Sequence, residues 1–162
     1  MQYTLRQKLV SFGNNFTIEG EDDSRFIVKG EPLTLFDKLS LQDQLGNELA
    51  YISMEIEKWR GVYEIHRQSQ PLTEVRRVWM AFPHHRFTIE TGGADDLAAI
   101  GDLFDLEYFI KRGDRDIARF TKQWFHFSET WAIDVDNAED KVLMLALAII
   151  IVRWRQRMRS RG

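Results

Sequence analysis

Val142-Leu143-Met144-Leu145-Ala146-Leu147-Ala148-Ile149-Ile150-Ile151-Val152 is a run of eleven apolar residues, bracketed by Lys141 and Arg153. It shows no polar stripe at any period, and a helix that is apolar on every side has to be surrounded on every side. A protein core or a membrane can do that. Length favours the core, because a spanning helix needs about 20 apolar residues. Counted from Ala138 to Trp154, the predicted helix is about 25 Å long at about 1.5 Å per residue. That length threads a small barrel and crosses hydrocarbon poorly.

The residues upstream supply the material for a barrel. Residues 1–135 alternate apolar and polar side chains in short runs, the signature of half-buried strands. Predicted strands include Phe26–Lys29, Lys38–Asp43, Val62–Arg67, Thr73–Val78 and Thr130–Val135, with turn signals such as Leu45-Gly46-Asn47, Thr91-Gly92-Gly93 and Arg112-Gly113-Asp114 between them. About twelve strands and one all-round apolar helix are best accommodated together. A sheet closed around the helix loses its edges and gives the helix a partner on every side.

The strands also repeat. Phe16-Thr17-Ile18-Glu19 recurs 71 residues later as Phe87-Thr88-Ile89-Glu90, and Gly30-Glu31 then matches Gly101-Asp102. Leu49-Ala50-Tyr51-Ile52-Ser53 through Tyr63-Glu64-Ile65 matches Ile117-Ala118-Arg119-Phe120-Thr121 through Trp131-Ala132-Ile133, at an offset of 68. Colinear matches of this kind indicate facing copies of one unit. The expected architecture is therefore mainly β, a closed barrel of about twelve strands in two similar halves around a central C-terminal helix. Residues 1–154 form a single domain on this reading, with the core helix at about 138–154 and a basic tail over 155–162.

Composition narrows the class. The chain has 162 residues, 44% of them hydrophobic, with five Trp and eleven Phe, too apolar for disorder. It has no cysteine, so a disulfide framework and a thiolate zinc site are both excluded. The N-terminal residues show no apolar signal segment, and a cytoplasmic location is expected. The net charge of −3 hides an asymmetry: residues 153–162 hold five Arg and no acid, while residues 1–152 carry 17 Lys and Arg against 25 acids. Arg153, Arg155, Arg157, Arg159 and Arg161 read either as a solvated helix end that complements the macrodipole or as an electrostatic foot for anionic lipid or nucleic acid.

The order of several short motifs resembles the LURP-one-related family, grouped with the Tubby C-terminal domain and the phospholipid scramblases. These are Tyr3-x-x-x-Gln7-Lys8, Phe26-x-Val28-Lys29-Gly30-Glu31 and Gln42-Asp43-x-x-Gly46-x-Glu48-Leu49-Ala50-x-Ile52. Ile117-Ala118-x-Phe120-x-Lys122-x-Trp124-Phe125 and Trp131-x-Ile133-x-Val135 follow, then the closing apolar helix. The resemblance covers nearly the whole chain and rests on the order of motifs rather than on any one of them. It implies a twelve-stranded barrel of two similar halves around a central helix. It also implies phosphoinositide-type headgroups or calcium-dependent lipid movement as the activities of relatives, although none of their ligand positions carries over onto particular residues here.

Candidate sites are few. Asp134, Asp136, Glu139 and Asp140 form the densest acidic run and are the calcium candidates, since a hard cation takes several oxygens from one loop. The plainer reading has Asp136 or Asn137 capping the helix, with Glu139 and Asp140 near its positive end. His84-His85 point to opposite faces of an extended segment, and His66 and His126 read as strand positions. Trp59, Trp79, Trp124, Phe82 and Phe127 read as barrel filling rather than a nucleic-acid stacking platform, because residues 1–152 are acidic overall. No nucleophile, phosphate loop or acid–base pair is visible, so no enzyme activity and no cofactor are expected. Arg112, Arg115, Arg119 and Lys122 on one hairpin, with the five arginines of the tail, are the anion or lipid candidates. The expected function is a monomeric, non-enzymatic binding or scaffold domain that docks on anionic phospholipid headgroups at a membrane surface. A scramblase-like protein with a membrane-inserting helix and a protein-binding regulator are the alternatives.

Overall fold

Most strands send two side chains inward, and the last two strands send three. A computed structural model describes residues 1–8, 16–31, 37–54, 61–78, 84–93, 95–102, 104, 106–124 and 128–160. Trp59, Trp79, Phe82, Phe127, His126 and Arg161 lie outside the described residues. The first six strands are β1 (Gln2–Gln7), β2 (Phe16–Gly20), β3 (Arg25–Gly30), β4 (Lys38–Asp43), β5 (Glu48–Met54) and β6 (Val62–His66). The next six are β7 (Thr73–Val78), β8 (Arg86–Glu90), β9 (Leu97–Gly101), β10 (Glu107–Arg112), β11 (Arg115–Gln123) and β12 (Thr130–Val135). Each pairs antiparallel with its chain neighbours, and β12 returns to β1 with Tyr3 opposite Ile133 and Leu5 opposite Trp131. The barrel is closed.

The duplication is visible in the inward-facing pairs. Phe16 and Ile18 of β2 have their counterparts in Phe87 and Ile89 of β8, and all four are buried. Leu39 and Leu41 correspond to Tyr108 and Ile110, Ala50 and Ile52 to Ala118 and Phe120, and Tyr63 and Ile65 to Trp131 and Ile133. Even the irregularities repeat: the register shifts at Leu41/Gln42 between β4 and β5, and at Ile110/Lys111 between β10 and β11. The turns beside these two bulges each place a glycine at positive φ, Gly46 at 86° and Gly113 at 60°, a conformation that costs glycine nothing.

The helix α1 (Lys141–Ser160) fills the barrel. Leu143 through Val152 are all buried and form one cluster with the inward side chains of the strands. The apolar run thus has protein on every side, as its lack of a polar stripe requires. Its limits differ from the sequence expectation of 138–154. The helix starts at Lys141 because Asp140 caps it, with Oδ1 accepting from Leu143 N at 3.1 Å. It continues to Ser160, so residues 155–160 are helical rather than a separate tail. Twenty residues span about 30 Å, enough for α1 to pass through the barrel and emerge at its far rim. That exit rim carries the ends of β1 and β11 and the starts of β4, β8 and β12.

Replacing Ile149, which has no exposed surface, by Lys puts an unpaired ammonium inside the barrel, at a cost of several kcal/mol. Ile149→Lys is expected to abolish cooperative unfolding in a urea titration followed by circular dichroism. A soluble variant with the wild-type midpoint would be incompatible with the threaded barrel.

Candidate functional site

Four arginines of α1 alternate with other residues, and the helix turns that alternation into two opposed faces. Positions two apart on a helix are roughly 200° apart in azimuth, whereas positions four apart nearly coincide. Arg153 and Arg157 therefore share one face, and Arg155 and Arg159 share the other. Each face meets one carboxylate on the exit rim.

Asp37, immediately before β4, receives the first pair. Arg153 donates to Asp37 Oδ1 from Nε at 3.1 Å and from Nη2 at 2.7 Å. Arg157 Nε donates to Oδ2 at 3.0 Å, and the Tyr63 hydroxyl donates to the same oxygen at 3.1 Å. Burial, and next the neighbouring Asp37 charge, push the Tyr63 phenol well above its ordinary pKa, so it remains a donor. Both Asp37 and Arg153 are buried. A charge pair this enclosed is retained only when further hydrogen bonds satisfy it, and it specifies a geometry more than it adds stability.

Glu129, immediately before β12, receives the second pair. Arg159 Nη2 donates to both of its oxygens at 3.0 Å, and Gln156 Nε2 donates to Oε2 at 2.8 Å. Gln156 Nε2 also reaches Gln7 Oε1 at the end of β1, at 3.0 Å. Arg155 sits 4.9 Å above the ring of the buried Trp131, a cation–π contact. Its Nη1 approaches Glu129 Oε1 only to 3.8 Å. Tyr63 and Trp131 are equivalent residues of the two halves, so each half contributes one aromatic and one carboxylate to hold α1.

Around this core lie Lys122, Trp124 and Trp154. Lys122 Nζ is 5.0 Å from the Trp124 ring, and its pKa is lowered by burial first, then by the Arg159 and Arg155 charges. Trp154 packs edge-on to Phe87 at 5.2 Å, against His85 at 4.9 Å and under the Arg77 guanidinium at 4.8 Å. Phe104, Trp124 and Met158 are 72%, 62% and 41% exposed. Lys122 N donates to Leu106 O at 2.8 Å, a register that brings Phe104 to the same rim as Trp124.

The LURP-one-related family model matches residues 1–152. The chain belongs to the LURP-one-related family. A protein of Bacillus subtilis (strain 168) called uncharacterized protein YxjI is 25% identical over 148 residues, which is 91% of this chain and 89% of that protein. No solved structure matches the chain. In this member of the family, Asp37, Glu129, Tyr63 and Trp131 lie inside the matched segment, whereas Arg153 to Arg159 follow it.

The residues nominated from the sequence do not form one site in this LURP-one-related barrel. Arg112 and Arg115 are at the opposite rim, where the helix begins, with Arg112 Nη1 2.6 Å from Glu139 Oε1 and Arg115 bonded to Asp136. Arg119 is on the outer wall, bonded to Glu107. Lys122 joins Arg153, Arg155, Arg157 and Arg159 at the exit rim.

The four acidic candidates also separate. Asp134 and Asp136 border a recess on the outer wall, Glu139 holds Arg112, and Asp140 accepts from Arg67 at 2.5 Å. The Asp136 carboxyl is held below its ordinary pKa by the Ala138 N–H and then by Arg115. The cap is Asp140, rather than Asp136 or Asn137. Asp136 closes the preceding turn instead, accepting from Ala138 N at 3.2 Å. Among the described residues, no group of three His, Asp or Glu is placed to hold a metal ion. His85 faces Trp154 while His84 is exposed, as adjacent extended residues should be. Asp37 and Glu129 escaped the sequence reading. The i, i+4 phase of the arginines announces that two acceptors are needed but not where in the chain they are.

Asp37→Asn is expected to lower the unfolding free energy by about 3 kcal/mol or more, because it strands a buried guanidinium. The double variant Asp37→Asn/Arg153→Met should recover part of that loss in a urea-denaturation cycle; strict additivity would show that the two residues are uncoupled. Lys122 makes a pH prediction. Its folded pKa lies below the ordinary lysine value of 10.5, so the unfolded chain binds more protons between the two values and stability rises with pH there. Measured against Lys122→Met, the wild type should gain stability as pH climbs toward 10.5, and a loss would contradict the assigned environment.

Proposed function

We propose that this LURP-one-related barrel is a monomeric, non-enzymatic binding domain that docks its exit rim on anionic phospholipid surfaces. The observation that carries the reading is the meeting of exposed apolar side chains with cations at one rim. Phe104, Trp124 and Met158 stand there with Lys122 and Arg159. Aromatic rings settle at the headgroup level of a bilayer, and each Lys or Arg near an anionic surface contributes about 1 kcal/mol of attraction. Among the described residues, the exposed large hydrophobics elsewhere are Leu45 and Leu72, at the turns of the opposite rim. Lys122 supports the reading in a second way: its pKa is depressed by burial first and then by the Arg159 and Arg155 charges, and a nearby anion offsets that second, electrostatic part.

Docking in this form leaves α1 inside the barrel. Among the described residues no helix is long and apolar enough to cross a membrane, and the Asp37 and Glu129 contacts hold the far end of α1 to the rim. A scramblase-like insertion would have to break those contacts and empty the core.

Co-sedimentation with anionic and neutral liposomes at low and high salt tests the proposal. Binding is expected only to anionic vesicles, released by high salt, and reduced several-fold by Phe104→Ala/Trp124→Ala without change in the unfolding midpoint. Salt-resistant binding to both vesicle types, with residues 141–152 newly cleavable by protease, would replace the proposal by helix insertion. Binding to neither would rule out a lipid surface and leave a protein-binding regulator.

A further inference from the structure

We infer that the exit rim contains a discrete oxyanion subsite, between α1 and the start of β8, that takes a phosphate monoester group. It lies in a recess of about 210 Å³ lined by His85, Trp154, Arg155, Met158 and Arg159, several times the share of about 30 Å³ that one water occupies in the liquid. Two of its five described lining residues are arginines, and among the described residues no carboxylate lines it.

Arg155 is the residue that points to a ligand. It is only 9% exposed, and its Nη1 is buried with no hydrogen-bond acceptor. The nearest Glu129 oxygen, at 3.8 Å, is beyond hydrogen-bond distance, because that carboxylate is already bonded to Arg159 and Gln156. A buried donor without an acceptor is costly, and a charged one more so. An oxyanion entering the recess would supply what Glu129 does not. Arg159, half-exposed on the same helical face, borders the recess from its open side.

His85 adds a third polar group. Arg77 Nη2 lies 3.2 Å from His85 Nδ1; a guanidinium can only donate, so Nδ1 is the acceptor in that contact. Met158 is the adaptable wall. Its unbranched thioether chain can shift to uncover Arg155, and it is exposed enough to do so. Planar forked donors match a phosphate in two-point contact, which favours phosphate over a spherical halide.

The inference shares a rim with the docking reading, but free phosphate is enough to test it, so the two can fail separately. The probe is inorganic phosphate, titrated at constant ionic strength against chloride, with the Trp154 indole resonance as the reporter. Saturable movement with phosphate and none with chloride is expected. Affinity should weaken at least ten-fold in Arg155→Met, which keeps the aliphatic stem over Trp131, and several-fold in the surface variant Arg159→Gln. If Arg155→Met fails to fold, Arg159→Gln decides alone. An indole shift that does not saturate, that chloride reproduces, or that survives these substitutions at wild-type affinity overturns the subsite.

Vesicles then identify the source of the phosphate. Preference for phosphatidic acid over phosphatidylglycerol at matched surface charge, lost in the same variants, makes it a lipid headgroup. Equal binding to both, alongside saturable free phosphate, makes it a soluble phosphate.

Discussion

A helix that is apolar around its whole circumference cannot rest on a surface, and this constraint shapes the rest of the chain. Ten consecutive residues, Leu143 to Val152, are buried in one cluster with the strands. A sandwich would cover two sides of such a helix; a closed barrel covers all of them, and closure also removes the unpaired strand edges. Two or three inward side chains per strand, supplied by two similar halves, are what a single helix packs against. The size of the barrel and the length of the apolar run are therefore one requirement seen from two sides.

Threading a helix through a barrel creates a second problem at the far end. After Val152 the helix is still crossing the rim, so its first charged residue, Arg153, emerges where water is scarce. Asp37 and Glu129 answer this from opposite halves, each reaching one i, i+4 pair of arginines. Breaking such pairs costs far more than their formation contributes relative to an apolar substitute. They fasten the end of α1 that leaves the close-packed core to the rim.

Duplication and function diverge at the same place. The inner pairs of the two halves match strand for strand, including the bulges after Leu41 and Ile110, because both halves serve the same helix. The rim has no such obligation. Tyr63 bonds Asp37 while its counterpart Trp131 underlies Arg155, and the exposed Phe104, Trp124 and Met158 are grouped in the second half and the helix. The proposed binding surface lies where the two halves have become asymmetric.

The sequence by itself determined the closed barrel, its two halves, the central helix and the family, because periodicity, repetition and the absence of a polar stripe are local properties of the chain. It also exposed the arginine-rich end, but as a tail. Only the tertiary structure decided that those arginines are a continuation of α1, that Arg112 and Arg115 belong to the opposite rim, and that Asp134, Asp136, Glu139 and Asp140 go to different places. The reason is physical. Burial pattern is written along one strand or helix, whereas the partner of a charge lies at a distance of 116 residues for Arg153 and Asp37, set by how the whole barrel closes.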